Sequence, residues 1–391
     1  MNMKSQRIEE ASRAAEREWK RITEFYKREN KNIFKDKSSK KSGGLANEFG
    51  LDRVHLKYSK EDIVILGPGK NIDRIFIEGT HFKFKSGYHF KHWYSKLEVN
   101  LPKMLYGNNI LNIRQRDILY EAIRKIEKEL IDEEVSLEVI KGILIYLEVN
   151  KNVELDKEFT QYSEASKIML DDREPIIQKK FTPNSIFENP FSGWKAGKKN
   201  KMAVFYDKCY EQVKEVFKSN EYFAELPKKE LIRIARKFIT LARLEFQISK
   251  DPLQLLLKNI LMKEDVTLGD LALNLEENLD DISSQMLEEI GFSTSLYKKA
   301  KEAKKKRLVR LFKQFIRMHP HNFISAILKY RHSHLWGASQ GVEVFKEIGG
   351  PGNIACSRGH DFKKEFLKIR NLSHRVPDYI GDMEELIEKF N

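Results

Sequence analysis

The sequence predicts an α+β protein: a mostly antiparallel sheet backed by helices, followed by a helical region. Three observations carry this. Short runs that alternate apolar and polar residues recur between residues 51 and 250. Helical spacing falls between them without strict strand–helix alternation, which disfavours a doubly wound parallel sheet. Beyond Pro252 the strand pattern stops and helical spacing takes over.

Residues 1–50 hold 13 Lys/Arg against 8 Asp/Glu, and their pattern predicts one amphipathic helix to about Glu29. A linker with Lys35, Lys37, Lys40, Lys41, Gly43 and Gly44 follows, so residues 1–44 read as a basic helical arm ending in a mobile stretch. Strand-like runs fall at 53–59, 62–66, 73–78, 95–100, 142–150, 202–208 and 241–249. Gly79 to Tyr94, with His81, His89 and His92 among lysines and aromatics, reads as a loop or hairpin suited either to gripping single-stranded DNA or to half-burial. Ile118, Leu119, Ile123, Ile126 and Leu130 predict a helix from Arg116 to about Asp132, and another is predicted from Lys228 to about Thr240. Lys195 to Lys201, including Lys198 and Lys199, reads as a basic turn able to meet backbone phosphates.

These elements make residues 45–255 the candidate catalytic domain and residues 256–391 a helical, winged-helix-like DNA-binding domain. Within the latter, 264–290 carries nine acidic side chains and no Lys or Arg, whereas 298–317 carries ten Lys/Arg and Glu302 alone of the acids. Leu308, Leu311, Phe312 and Phe315 share one side of an amphipathic helix there, leaving Lys304, Lys305, Lys306, Arg307 and Arg310 as candidate phosphate contacts.

Composition narrows the class. The chain has 391 residues, 41% hydrophobic and 33% charged, enough for a core. No apolar run approaches the roughly 18–20 residues of a spanning helix, and the first twenty residues lack a signal-like apolar stretch, so no membrane partner is expected. Two cysteines, Cys209 and Cys356, exclude a disulfide scaffold and a cysteine-built zinc site, and the expected setting is cytoplasmic. With 71 Lys/Arg against 58 Asp/Glu, the net charge of +13 points to a polyanion partner.

The alternation itself suggests chemistry. Side chains two apart on a strand share a face. In 241–249, Arg243, Glu245 and Gln247 oppose Ala242, Leu244, Phe246 and Ile248. In 143–150, Tyr146, Glu148 and Asn150 oppose Ile145, Leu147 and Val149. In 96–100, Glu98 opposes Leu97 and Val99, and in 202–208, Tyr206 and Lys208 oppose Ala203 and Phe205. In one sheet, Glu98, Glu148 and Glu245 would share a face with Tyr206, Lys208 and Arg243. Grouped carboxylates repel unless a cation joins them, and a hard divalent ion, magnesium or manganese, suits all-oxygen ligands. A tyrosine beside such an ion and a lysine is a candidate nucleophile.

Three segments resemble a known family. Lys96-Leu-Glu-Val-Asn-Leu-Pro-Lys-Met-Leu-Tyr-Gly-Asn-Asn109 resembles the "E…P-K-x-L-x-G-x-N" segment of the rolling-circle replication initiators of filamentous phages (the gene II endonuclease type) and related plasmids, within the HUH-like endonuclease superfamily. Met202 to Glu211 resembles their "Y-x-K-x-x-E" strand, and Leu241 to Gln247 their "R-x-E" strand. The resemblance implies a site-specific DNA endonuclease and strand transferase. Tyr206 would attack a phosphodiester to leave a 5′-phosphotyrosyl enzyme and a free 3′-hydroxyl, with Lys208 assisting. Glu148, Glu98 and Glu245 would hold the ion and Arg243 would touch DNA. Origin DNA, with a single-stranded or hairpin nick site beside duplex, and a host helicase would be the partners.

The chain departs from the pattern in two places. The family's Arg-x-Asp strand is here Tyr146-Leu147-Glu148, without its arginine, and its Gly-His-Asn loop is Gly107-Asn108-Asn109. Tyr210 is the alternative nucleophile. A non-catalytic origin-binding or nucleoid protein is the rival reading, with Tyr206 as a packing residue.

Overall fold

A computed structural model describes residues 3–33, 48–107, 109–157, 159, 162, 193–198, 200–209, 211, 226–236, 240–292, 298–299 and 379–390. Its elements in chain order are α1 (Met3–Ile33), β1 (Gly50–Lys57), β2 (Ile63–Ile65), β3 (Arg74–Glu78), β4 (Phe82–His89), β5 (His92–Asn100), α2 (Leu101–Tyr106), α3 (Arg116–Asp132), β6 (Val135–Leu137), β7 (Ile143–Glu154), β8 (Trp194–Lys198), β9 (Lys201–Asp207), α4 (Lys228–Arg236), β10 (Leu241–Ser249), α5 (Lys250–Leu261), α6 (Leu268–Leu273), α7 (Leu275–Ile290) and α8 (Tyr379–Phe390). No described helix is long and apolar enough to cross a membrane.

The fold is α+β. Eight strands form one sheet in the order β3-β4-β5-β1-β7-β10-β9-β8, and every neighbouring pair is antiparallel. One face is apolar, with Val54, Leu56, Leu97, Val99, Leu147, Val149, Leu244, Phe246 and Ile248 all buried. The helix α5 packs across β7 and β10 through Leu253, Leu256 and Leu257. The acidic α7 lies beyond it and contacts β1. Arg114 ties α7 to the start of β1, donating to both carboxylate oxygens of Asp280 (2.8 and 2.7 Å) and to the Phe49 carbonyl oxygen (2.9 Å).

A second, smaller core closes one end of the opposite face. Ala11, Ala15 and Trp19 of α1 pack with Leu231, Ile234 and Ala235 of α4, and with Ile110, Leu111, Cys209 and Leu241. The helix predicted to about Glu29 therefore exists, but its apolar stripe is sunk in this core instead of riding on a separate arm. The chain divides into two compact units: residues 1–160, 175–290 and 389–391 in one, residues 161–174 and 291–388 in the other. Neither division at 44 nor at 255 coincides with these units. The apolar faces of α1, α5, α6 and α7 cover parts of the sheet's own unit.

Of the segment read as a loop or hairpin, the hairpin is what forms, and the segment read as a basic turn begins with a strand. Phe82–His89 is β4, and its hairpin with β5 turns at Phe90 and Lys91, both at positive φ (48° and 66°). Lys195 and Lys198 lie on the edge strand β8 instead of a turn. Trp194 anchors that strand on the Phe205 ring, 5.6 Å away. Lysines on an exposed edge discourage pairing with another chain.

Candidate functional site

The polar face is assembled row by row from the strand register. Glu148 on β7 stands opposite Gln247 on β10 and Arg53 on β1. One row along, Asn150 stands opposite Glu245, and on the other side Tyr146 stands opposite His55. Arg243 pairs with Tyr206 on β9 and with Asn152 on β7. The register between β1 and β7 shifts between Leu51 and Arg53, so Asp52 is the extra residue of a bulge. A bulge breaks the two-residue alternation and re-aims a side chain. It turns Asp52 toward the polar face, where its carboxylate meets Asn100, Asn150 and Arg243.

Three buried carboxyl groups meet there. Asp52, Glu148 and Glu245 each offer an oxygen, all within 4.8 Å of one another, and among the described residues they are the group able to hold a metal ion. Asp52 accepts hydrogen bonds from three neighbours. Asn100 Nδ2 donates to Oδ1 (3.0 Å), while Asn150 Nδ2 (2.9 Å) and Arg243 Nη1 (2.8 Å) donate to Oδ2. Glu148 and Glu245 each accept from a tyrosine hydroxyl, Tyr146 at 2.8 Å and Tyr206 at 3.0 Å. Gln247 Nε2 donates to the other oxygen of Glu245. Burial, then Glu245 and Asp52, push Glu148 well above the ordinary carboxylate range, and burial and Asp52 raise Glu245 likewise. Without a cation the cluster is thus driven to retain protons.

The residues present fit a bound cation. The donor set is all oxygen, and the fully buried Asn150 carries a side-chain carbonyl oxygen with no hydrogen-bond partner beside the triad. Such an oxygen is costly in the interior unless something is bound to it.

The segment Lys96 to Asn109 builds one wall. Asn100 caps α2, its Oδ1 accepting from Lys103 N (3.0 Å) while its amide holds Asp52. Pro102 sits in the first turn of α2, and Gly107, at φ 69°, closes the helix in the left-handed region. Beyond it, Asn109 Oδ1 accepts from Lys208 Nζ (2.9 Å), and the Asn109 carbonyl accepts from Arg243 Nη2. Asn108 lies outside the described residues.

The structure brings Glu148, Glu245 and Tyr206 together as the alternation predicts, and corrects other assignments. Glu98 shares the face but stands outside the triad. Lys96 pairs with it at 2.7 Å, and it approaches His55 at 4.0 Å. Arg243, expected to touch DNA, has no exposed surface. Its guanidinium is consumed by Asp52, by Asn152 Oδ1 (2.7 Å) and by backbone carbonyls, because the second core covers that end of the face. Lys208 follows the last residue of β9 and is also fully buried. It pairs with Glu211 and its Nζ lies 5.8 Å from the centre of the Tyr206 ring. Burial and Arg243 lower its pKa.

Tyr206 itself is only partly buried, and burial and Glu245 hold its phenol well above the ordinary tyrosine range. Lys195 stands on the polar face, opposite Val204, which in turn faces Glu245. Lys198 is on β8. Lys199, Tyr210, Lys304, Lys305, Lys306, Arg307 and Arg310 lie outside the described residues.

Sequence reasoning missed Asp52, Arg53, His55 and the hydroxyl role of Tyr146. His55 stacks on Tyr146, centroids 4.3 Å apart, and burial with Lys96 lowers its pKa to about 4. The available signal was the adjacent Asp52-Arg53 pair at the head of an alternating run. No protein family model matches the chain, and neither a curated protein nor a solved structure does.

Proposed function

We propose that this protein nicks and rejoins DNA through Tyr206 with the help of a divalent cation, magnesium or manganese, as an initiator of rolling-circle replication. The observation that carries the reading is the Tyr206 hydroxyl hydrogen-bonded at 3.0 Å to Glu245, a member of an all-oxygen acidic triad on one sheet face. The order of the Lys96–Asn109, Tyr206 and Arg243–Glu245 segments, which resemble those of the HUH-like initiators, supports the same assignment. Asp52, Glu148 and Glu245 would hold the ion. When bound, it would polarise the phosphate and offset the carboxylate charge that keeps the phenol protonated.

The residues divide the remaining work. Tyr206 Oη forms the new bond to phosphorus and the P–O3′ bond breaks. The phenol proton passes to the Glu245 oxygen that already accepts it, and the departing 3′-oxygen takes a proton from water. The phosphotyrosyl ester conserves the energy of the cut, so the reverse transfer rejoins strands without ATP. Asn100, Asn150 and Arg243 hold Asp52 in place, and Lys208 fixes the loop at Asn109. Origin DNA is the substrate, a host helicase a partner, and the chain beyond Ile290, in the second unit, the duplex-binding part.

The test is incubation with single-stranded origin DNA and manganese, reading the covalent protein–DNA adduct on a denaturing gel. Wild type forms it and Tyr206→Phe does not. Loss with Tyr146→Phe alone would move the nucleophile to β7, where the Tyr146 hydroxyl bonds Glu148. No adduct with either metal, across substrates, would overturn the reading in favour of a non-catalytic origin-binding protein.

A further inference from the structure

The cations around the triad are almost all spoken for. Arg243 is spent on Asp52, Lys208 on Glu211, Lys96 on Glu98 and Lys83 on Glu78, while His55 is stacked and held neutral by its surroundings. Among the described residues, Arg53 is the unpaired cation directly opposite a member of the triad. It stands directly opposite Glu148 in the β1–β7 register and opposite Asn100 on β5. Its side chain is exposed, and it makes no hydrogen bond and no ion pair with any described residue. Glu148, Asp52 and Glu245 act on its charge without any of them closing a contact. The guanidinium borders a cleft of about 240 Å³ that runs from Asn100 toward Thr80 and His81 in the β3–β4 turn. A free guanidinium beside a carboxylate cluster that can load with a cation is one half of a two-sided clamp for an anion. A planar fork of N–H donors matches phosphate oxygens in two-point fashion.

We propose that Arg53 binds the phosphate that reacts at this site. The proposal rests on the nicking reading above. The cation neutralises one side of the phosphate while Arg53 donates to a non-bridging oxygen from the other, and it follows the charge that grows there in the transition state. The cleft leaves room for the strand to pass.

The experiment compares wild type, Arg53→Gln and Arg53→Lys in three measurements. They are manganese affinity by calorimetry, binding of a fluorescein-labelled single strand of mixed sequence to calcium-loaded protein, and the rate of adduct formation in manganese. Arg53→Gln is expected to bind manganese as tightly as wild type or tighter, because a positive charge facing Glu148 has gone. It should bind the strand about tenfold more weakly and form adduct about 100-fold more slowly. Arg53→Lys should recover part of the binding and less of the rate. Unchanged strand binding and rate in Arg53→Gln would overturn the proposal while leaving the nicking reading intact. So would a loss matched by an equal loss of manganese affinity, which would mark a structural role. Should wild type form no adduct, the nicking reading falls, and the binding arm still decides: a weakened strand complex in Arg53→Gln supports Arg53 as a phosphate contact, and an unweakened one overturns it.

Discussion

Replacing Glu148 with glutamine measures the repulsion stored in the triad. Glu148 is 4% exposed, and its carboxylate oxygen lies within 4.8 Å of oxygens from Asp52 and Glu245. Two full charges at that separation repel by about 3 kcal/mol at the effective dielectric of a protein site. Its pKa is raised by burial, by Glu245 and by Asp52. A carboxyl group raised in the folded state binds its proton more tightly there than in the unfolded chain. Its contribution to stability is complete below the ordinary carboxylate range and is lost as pH rises through the raised value. Glutamine keeps the size of the side chain and an oxygen for the Tyr146 hydroxyl, and removes the charge. In EDTA at about pH 8, Glu148→Gln is expected to be more stable than wild type by about 2–3 kcal/mol, with the gap shrinking toward about pH 5. Manganese at about 100 times its dissociation constant should stabilise wild type by about 2.7 kcal/mol and the variant by much less. Urea denaturation followed by circular dichroism, with EDTA and with manganese at both pH values, reads all of this. A variant less stable than wild type in EDTA at the higher pH, or one that gains from manganese as wild type does, would refute the reasoning.

Two further predictions concern the framework. Arg243→Met should cost about 3–5 kcal/mol in the same denaturation assay, because it leaves the buried Asp52 without its cationic partner at 2.8 Å; a loss below about 1 kcal/mol would mean that Asn100 and Asn150 suffice. Trp19→Ala should cost about 3–5 kcal/mol and speed proteolysis at the α1–α4 contact, since this indole is 2% exposed; a negligible change would return α1 to the status of a detached arm.

The alternation of β7 and β10 was legible, and with it the meeting of Glu148 and Glu245. From Tyr146 onward in β7, and along β10, each residue sits where a period of two places it, whereas the β1–β7 pairing skips Ile145 at the start of β7. Asp52 was illegible for the same reason. The β1 bulge puts one extra residue into the strand, and a strict two-residue pattern has no place for it. For Arg243 the face was right and the role wrong. Whether a guanidinium meets solvent or a buried carboxylate depends on Asp52, which stands 191 residues earlier, and on a second core built from α1 and α4. Phe82-Lys-Phe-Lys alternates as well as any strand here, and Gly79 to Tyr94 fits a loop or a hairpin. Pairing with β3 and β5 decides for the hairpin. Lys195 shows a related case: the lysine-rich run reads as a basic turn, while the register with β9 makes an edge strand of its first residues.

The order β1-β7-β10 at the middle of the sheet sets when the acidic triad can assemble during the chain's own synthesis. The three acids come from segments roughly a hundred positions apart, brought side by side only by pairings that span most of the unit, and such long-range closure is the slow part of folding. A ribosome must therefore release β10 before Glu245 can join the other two. Every shorter nascent chain, and every truncated product ending ahead of Leu241, lacks the third acid of the triad. For a protein with the proposed chemistry, that delay keeps half-made copies from cutting DNA.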